Sequence, residues 1–195
     1  MTTLHRVPRT MRAMVMEAYG GPDVLVEREI PTPSPGPGEV LVRVATVAAN
    51  RQDQYTMAGK TEKRVDLPHV PGNDPAGVVV GLGAEVANSG DGATPLALGD
   101  RVVVKPSIAC RACAACLDDD ESACLRLQSI GLHRQGGFAE YVVAPASNVF
   151  TIPRSLGFVE ATALSQSGPV ALHMLRDRAV LTADDVVLVT SASGA

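Results

Sequence analysis

Tryptophan is absent from the 195 residues, and aromatic residues together make up 3%. So few rings exclude a stacking platform for single-stranded nucleic acid, which lays successive bases on exposed aromatics. Positive charge is scarce as well. Seventeen Lys and Arg stand against 21 Asp and Glu, a net charge of −4, so no basic field recruits a phosphate backbone. No apolar run reaches the ~18 residues of a membrane-spanning helix; Val78–Val80, with Ala76-Gly77 before it and Gly81 after, comes closest. The opening MTTLHRVPRTMRAMVME has basic residues but no apolar stretch leading to a small-residue cleavage site, so it reads as a short tail rather than a secretory leader. Arg6, Arg9 and Arg12 with few acids nearby also suit a transit peptide, the less favoured reading. These absences lead to the expectation of a cytoplasmic protein with neither nucleic-acid nor membrane partners.

What is present is an ordinary globular composition, 46% hydrophobic and 19% charged, which argues against disorder. Glycine (18) and proline (14) make the chain rich in turns. Residues 12–17, 24–30 and 40–49 read as strands, the last on its β-branched run Val40-Leu41-Val42-Arg43-Val44. Between the second and third, Pro31-Thr32-Pro33-Ser34-Pro35-Gly36-Pro37-Gly38 cannot lie in a central strand, because proline has no N–H for the ladder. Residues 50–58 read as a short helix closed by Gly59. Val78–Val80, Arg101–Val104 and Phe138–Val143 read as further strands, and residues 87–98 as a loop. From Ser155 to about Arg178 the spacing of Leu172, Leu175 and Ala179 suits a helix, expected to break near Gly168-Pro169. Val186-Val187-Leu188-Val189 then reads as a buried parallel strand. Many short strands followed by helix and a parallel-type strand imply an antiparallel β-domain and then the start of an α/β unit.

All four cysteines fall within Cys110-x2-Cys113-x2-Cys116-x7-Cys124. Four thiolates this close can converge on one tetrahedral ion. Zinc suits such a set, and full ligation by protein leaves no open position, so its role is structural. An iron–sulfur cluster uses the same ligands and stays open at this point. Disulfides call for an oxidising compartment, against which the missing leader argues. Asp118-Asp119-Asp120-Glu121 inside the loop reads as a solvated acidic turn. None of the four histidines stands at recognisable ligand spacing from a Cys or Asp.

The cysteine spacing resembles the structural-zinc lobe of the medium-chain dehydrogenase/reductase superfamily, the alcohol dehydrogenase and quinone oxidoreductase group. Further blocks match in the same order: Met11–Met14 with Gly20–Leu25, Pro37-Gly38-Glu39-Val40-Leu41-Val42, Pro71-Gly72-Asn73-Asp74-Pro75-Ala76-Gly77-Val78-Val79, Gly99-Asp100-Arg101-Val102 and Gly136-Gly137-Phe138-Ala139-Glu140-Tyr141. Each block is weak alone; together and in order they are specific. The resemblance implies a tail over 1–11, a mainly β GroES-like barrel with a structural-zinc lobe over 12–154, and over 155–195 an interdomain helix and first strand of a truncated α/β Rossmann domain. It also implies a small-molecule substrate and NAD(P)H, and leaves room for a homo-oligomer.

Zinc-dependent members carry a second, catalytic zinc held by a Cys, a His-Glu pair and a further Cys or Asp. In this sequence Asn50 stands at the first position, Asn73-Asp74 replaces His-Glu, and Gln166 falls near the last. Such groups are poor zinc ligands. Asn50-x-x-Asp53-x-Tyr55 instead resembles the N-x-x-D-x-Y segment of the zinc-independent quinone oxidoreductases, which borders nicotinamide and substrate. Asn50, Asp53 and Tyr55 are therefore the candidate catalytic residues, with Asn50 and Tyr55 able to donate to a developing oxyanion. For Asn50 and Asp53, helix capping and hydrogen-bond support are the competing roles. At the other end, Ala192-Ser193-Gly194-Ala195 resembles the first half of the family's glycine-rich phosphate turn, so Ser193, Gly194 and Ala195 are the candidate cofactor contacts. The expectation is an NAD(P)H-dependent quinone, enone or carbonyl reductase. The alternatives are a zinc-dependent alcohol dehydrogenase and a non-catalytic zinc-stabilised binding module.

Overall fold

The structure, a computed structural model, describes residues 6–61, 64–86 and 95–190. Strands β1 (Thr10–Met16) and β2 (Leu25–Pro31) form an antiparallel hairpin. After the proline-rich connector come β3 (Glu39–Ala48), α1 (Arg51–Met57), β4 (Asp74–Leu82) and β5 (Arg101–Val104). A small excursion follows, with β6 (Ser107–Ile108), the single-turn α2 (Ala114–Leu117) and β7 (Gln128–Ser129). β8 (Tyr141–Pro145) and β9 (Val149–Thr151) complete the sheet, and α3 (Phe158–Leu172) leaves it.

The main sheet is antiparallel throughout, in the order β8-β3-β4-β5-β9. Valine dominates its buried positions: Val40, Val42, Val79, Val102, Val104, Val142 and Val149 pack with Ile130 and Ala144 into the largest core cluster. β-Branched side chains suit this pleated surface because their stiff χ1 loses little on packing. Two register shifts in β3, at Leu41/Val42 and Val44/Thr46, curl the sheet. The hairpin leans against it through Met11, Leu41 and Tyr141, and through a bridge between Ala13 and Ala139. The antiparallel β-architecture is as expected.

Four local expectations need correction. β4 is three times the length of Val78–Val80, because Pro75 and Gly77 are accommodated inside it rather than ending it. The strand expected at Phe138–Val143 is shifted to Tyr141–Pro145; Phe138 and Ala139 instead meet the β1 edge, where Met14 N–H donates to Phe138 C=O at 2.8 Å. The helix does not break at Gly168-Pro169 but runs through to Leu172, then widens into a π-helical turn at His173–Arg178. A proline removes one N–H from the ladder, and here the helix carries that loss without ending. Val186–Val189 form no strand, and Val186 is 99% exposed. Among the described residues no parallel neighbour lies beside this run, so its N–H and C=O groups have no ladder to join.

One arginine fixes the way the chain leaves the sheet. Arg101 donates to the carbonyls of Pro153 (3.1 Å), Arg154 (3.2 Å) and Leu156 (2.7 Å), and its guanidinium lies 4.5 Å from the centre of the Phe158 ring. A planar fork with five donors can hold such a bend where lysine cannot. Arg101→Ala is expected to lower the unfolding free energy by about 2 kcal/mol, from lost charge-assisted hydrogen bonds and the ring contact. Urea melts read this directly, and an unchanged midpoint would show that the latch contributes nothing.

Candidate functional site

Two places collect the chemistry-bearing residues. The first is the excursion between β5 and β8. The sulfurs of Cys110, Cys113, Cys116 and Cys124 all lie within 4.8 Å of one another, with Cys113 and Cys116 at 3.5 Å and Cys110 and Cys116 at 3.9 Å. A Zn–S bond of about 2.3 Å implies tetrahedral sulfurs roughly 3.8 Å apart, so the four fit one ion. A multi-iron cluster, which puts its own metal and sulfide atoms between the thiolates, needs a wider cradle.

Backbone donors are already aimed at these sulfurs. Cys110 N–H donates to Cys124 Sγ at 3.3 Å. The Ala112 N–H lowers the Cys110 thiol to about 6, while burial raises that of Cys116. Arg111 takes a left-handed conformation, φ 53°, which turns the chain sharply between Cys110 and Cys113. The base of the lobe is pinned by Asn148, a buried side chain whose Nδ2 donates to the carbonyls of Lys105 (2.9 Å) and Ser107 (2.7 Å). Sequence reading missed Asn148, because nothing in a lone Asn after a strand marks its partners.

The second place is the junction of β3, α1 and β4. Asn50 is the N-cap of α1, and Asp53 one turn later accepts the Asn50 N–H at 2.7 Å, one arm of a capping box. The other Asp53 oxygen accepts the Gly72 N–H at 2.9 Å. Gly72 sits at φ 102°, and a Cβ there would lie 2.6 Å from Phe138 N, so only glycine brings this N–H to the carboxylate. Asp53 is buried, and both oxygens are spent on backbone, which makes it a staple between α1 and the turn before β4. The Asn50 side chain completes the capping box toward the Asp53 backbone, and its Nδ2 donates to Asp74 Oδ2. The register, Ala48 opposite Asp74, sets the two side by side. Tyr55 stands on the same short helix and is 49% exposed.

Two buried oxygens at this junction, Asn73 Oδ1 and Asp74 Oδ1, have no hydrogen-bond partner. Gln166 lies on α3 and lines an apolar cavity of about 560 Å³ together with Val103, Phe150 and Leu164. His69, expected to matter little, is buried with Nε2 2.9 Å from Gly131 C=O, and burial holds its pKa low. His173 does pair with an acid, Asp177 at 2.9 Å one helical turn on, a correction to the expectation that no histidine has such a partner; both are exposed. Ser193, Gly194 and Ala195 lie outside the described residues.

Burial raises the pKa of Asp74, as does the charge of Asp53, while the Asn50 bond opposes both. A carboxyl raised in the folded state favours folding in its protonated form. Its contribution is complete below the ordinary carboxylate range and is lost as pH rises through the raised folded value. Asp74→Asn cannot ionise. Its stability is therefore expected to gain on the parent as pH rises, with the gap closing in acid; denaturant melts at a series of pH values show this, and a gap independent of pH would contradict it.

The model of the family described as the alcohol dehydrogenase GroES-like domain matches residues 36–154. Among curated relatives, the L-galactonate-5-dehydrogenase of Escherichia coli (strain K12) is 29% identical over 180 residues, 92% of this chain and 49% of that protein. A solved NAD-dependent alcohol dehydrogenase superposes with a TM-score of 0.81 at 39% identity, over 90% of this chain and 49% of its own. A cobalt- and zinc-bound thermostable alcohol dehydrogenase from Pyrobaculum aerophilum does so with a TM-score of 0.70 at 37% identity, over 80% and 45%. The chain spans about half the length of the relatives it matches.

Proposed function

The chain belongs to the alcohol dehydrogenase GroES-like family, within the medium-chain dehydrogenase/reductase superfamily, and on that premise we propose that the protein is an NAD(P)H-dependent reductase of a quinone, enone or carbonyl. It carries one structural zinc on Cys110, Cys113, Cys116 and Cys124 and no catalytic zinc. Residues 12–154 form its substrate-side domain, and residues 155–195 lead into a cofactor domain, with Ser193, Gly194 and Ala195 in its phosphate turn. The observation that carries this reading is the junction of Asn50, Asp53 and Asp74. It offers neither thiolate nor imidazole, Asp53 is consumed by backbone, and one Asn50 N–H is spent on Asp74.

When bound, a reduced nicotinamide supplies the hydride. The protein's own part is to hold the substrate oxygen on which negative charge develops. A primary amide has two N–H donors, so Asn50 keeps one after bonding Asp74. The Tyr55 hydroxyl on the same helix is the second donor. Asp53 and Asp74 position Asn50, one through its backbone and one through its side chain.

The second reading is a zinc-dependent alcohol dehydrogenase. The two unpartnered oxygens of Asn73 and Asp74 favour it, because a cation would satisfy both. Assays of the whole protein decide between them: NAD(P)H oxidation by quinones, enones and aldehydes insensitive to a chelator supports the first, whereas alcohol oxidation abolished by the chelator and restored by zinc supports the second.

A further inference from the structure

The two halves of the cysteine set are tied together by something other than metal. Cys110, Cys113 and Cys116 stand on one stretch of chain, and Cys124 follows after the acidic turn. Within that turn Glu121 faces inward while Asp118, Asp119 and Asp120 are exposed. Glu121 Oε2 accepts Lys105 Nζ at 2.7 Å, and Oε1 forms an ion pair with Arg111 Nε at 3.3 Å. Lys105 belongs to the base of the lobe, directly after β5, and the Asn148 side chain holds its carbonyl. Arg111 is the residue after Cys110 and carries the left-handed bend. One carboxylate thus joins the base, the Cys110–Cys113 bend and the Cys124 arm.

We propose that Glu121 is a positioning residue for the metal: by gripping Lys105 and Arg111 it holds Cys124 against the other three thiolates and slows metal release. The proposal rests on zinc occupying the four cysteines. Release from a four-thiolate site begins with one arm swinging away, and Cys124 is the arm with the longest tether, separated from Cys116 by seven residues. An arm pinned three residues upstream by two ion pairs reopens less often, and a site preorganised before binding loses less freedom on binding. The two cations also offset the charge of four thiolates around one divalent ion. Exposed ion pairs add little to global stability, so the effect belongs to the metal centre and not to the sheet.

The test is zinc release from the purified, zinc-loaded protein into an excess of a chromogenic chelator. Glu121→Gln is expected to release zinc about tenfold faster than the parent at low ionic strength, in line with outer-shell partners of other metal sites. The difference should shrink in high salt, which screens the two ion pairs. Lys105→Gln combined with Arg111→Gln should reproduce the acceleration, and Glu121→Asp should restore part of the parent's rate. Glu17→Gln, which removes the Arg28 ion pair on the hairpin, should leave release unchanged. Equal release from parent and Glu121→Gln at low salt, with both holding one zinc, overturns the proposal and leaves the zinc reading intact. An acceleration that persists in high salt together with a lowered urea midpoint also overturns it, because that pattern is general loosening. A parent that holds no zinc removes both readings at once.

Discussion

Cys113→Ser is expected to take the protein from one bound zinc to none, measured by metal analysis after gel filtration. Structural zinc in small domains binds with roughly 10–16 kcal/mol of apparent free energy, drawn from four thiolates acting together. Three thiolates and a serine hydroxyl leave a site that a competing chelator empties. The consequence should be local. The largest core cluster draws on β3, β4, β5, β8 and β9 and takes no residue between Cys110 and Gln128. The sheet should therefore survive while residues 110–124 open to protease. The same measurement on the parent weighs the proposed function: one zinc per chain agrees with it, whereas two would place a second ion at Asn50, Asn73 and Asp74 and restore the alcohol dehydrogenase reading. Cys113→Ser chains that still hold one zinc would show that the ion sits elsewhere.

The cysteine lobe was legible because metal ligation leaves a mark in spacing alone: four thiols within fifteen residues have few other uses. β3, α1 and β5 were legible because their signals are local, a β-branched run in the first and third and the closing Gly59 in the second. Other features depended on contacts distant in sequence, and those were not readable. Glu121 looked like the rest of its acidic run; only the folded lobe brings Lys105 and Arg111 to it. Arg101 closes on carbonyls more than fifty residues away. Asn50 was read as a donor toward substrate, with capping as its rival. The structure makes it the N-cap of α1, as the second reading had it, and adds a bond from its Nδ2 to Asp74, 24 residues on, which neither reading named. The buried strand expected at Val186–Val189 shows the converse, since composition marks what a segment could bury but not whether a neighbour is there to bury it.

Gly77→Ala carries the other large expected effect, and it reaches the site through the sheet. Gly77 lies mid-strand in β4, opposite Val44 on β3 and Val102 on β5. A Cβ at this position would fall 2.0 Å from Arg43 O and 2.9 Å from Arg43 C. That oxygen is backbone in a strand held on its far side by β8, so no flexible side chain can yield. The neighbouring register shift, at Val44/Thr46, brings the β3 carbonyl close, and glycine is what permits it. Overpacking a well-filled core costs up to ~3 kcal/mol where side chains can adjust. Here backbone has to move, and about 4 kcal/mol is expected. For a chain of this size that lowers the melting temperature by roughly 8–16 °C. Gly99→Ala is the matched control: its φ of 92° is strained for alanine, yet nothing lies within 4 Å of the added carbon. It should cost only ~1 kcal/mol. Equal melting of the two variants would show that β3 and β4 can separate freely at Gly77. If they cannot, the pairing that Gly77 permits also sets Ala48 opposite Asp74, and with it the approach of Asn50 to Asp74. The Gly77→Ala protein should then lose the proposed reductase activity even below its melting temperature, whereas Gly99→Ala should retain it.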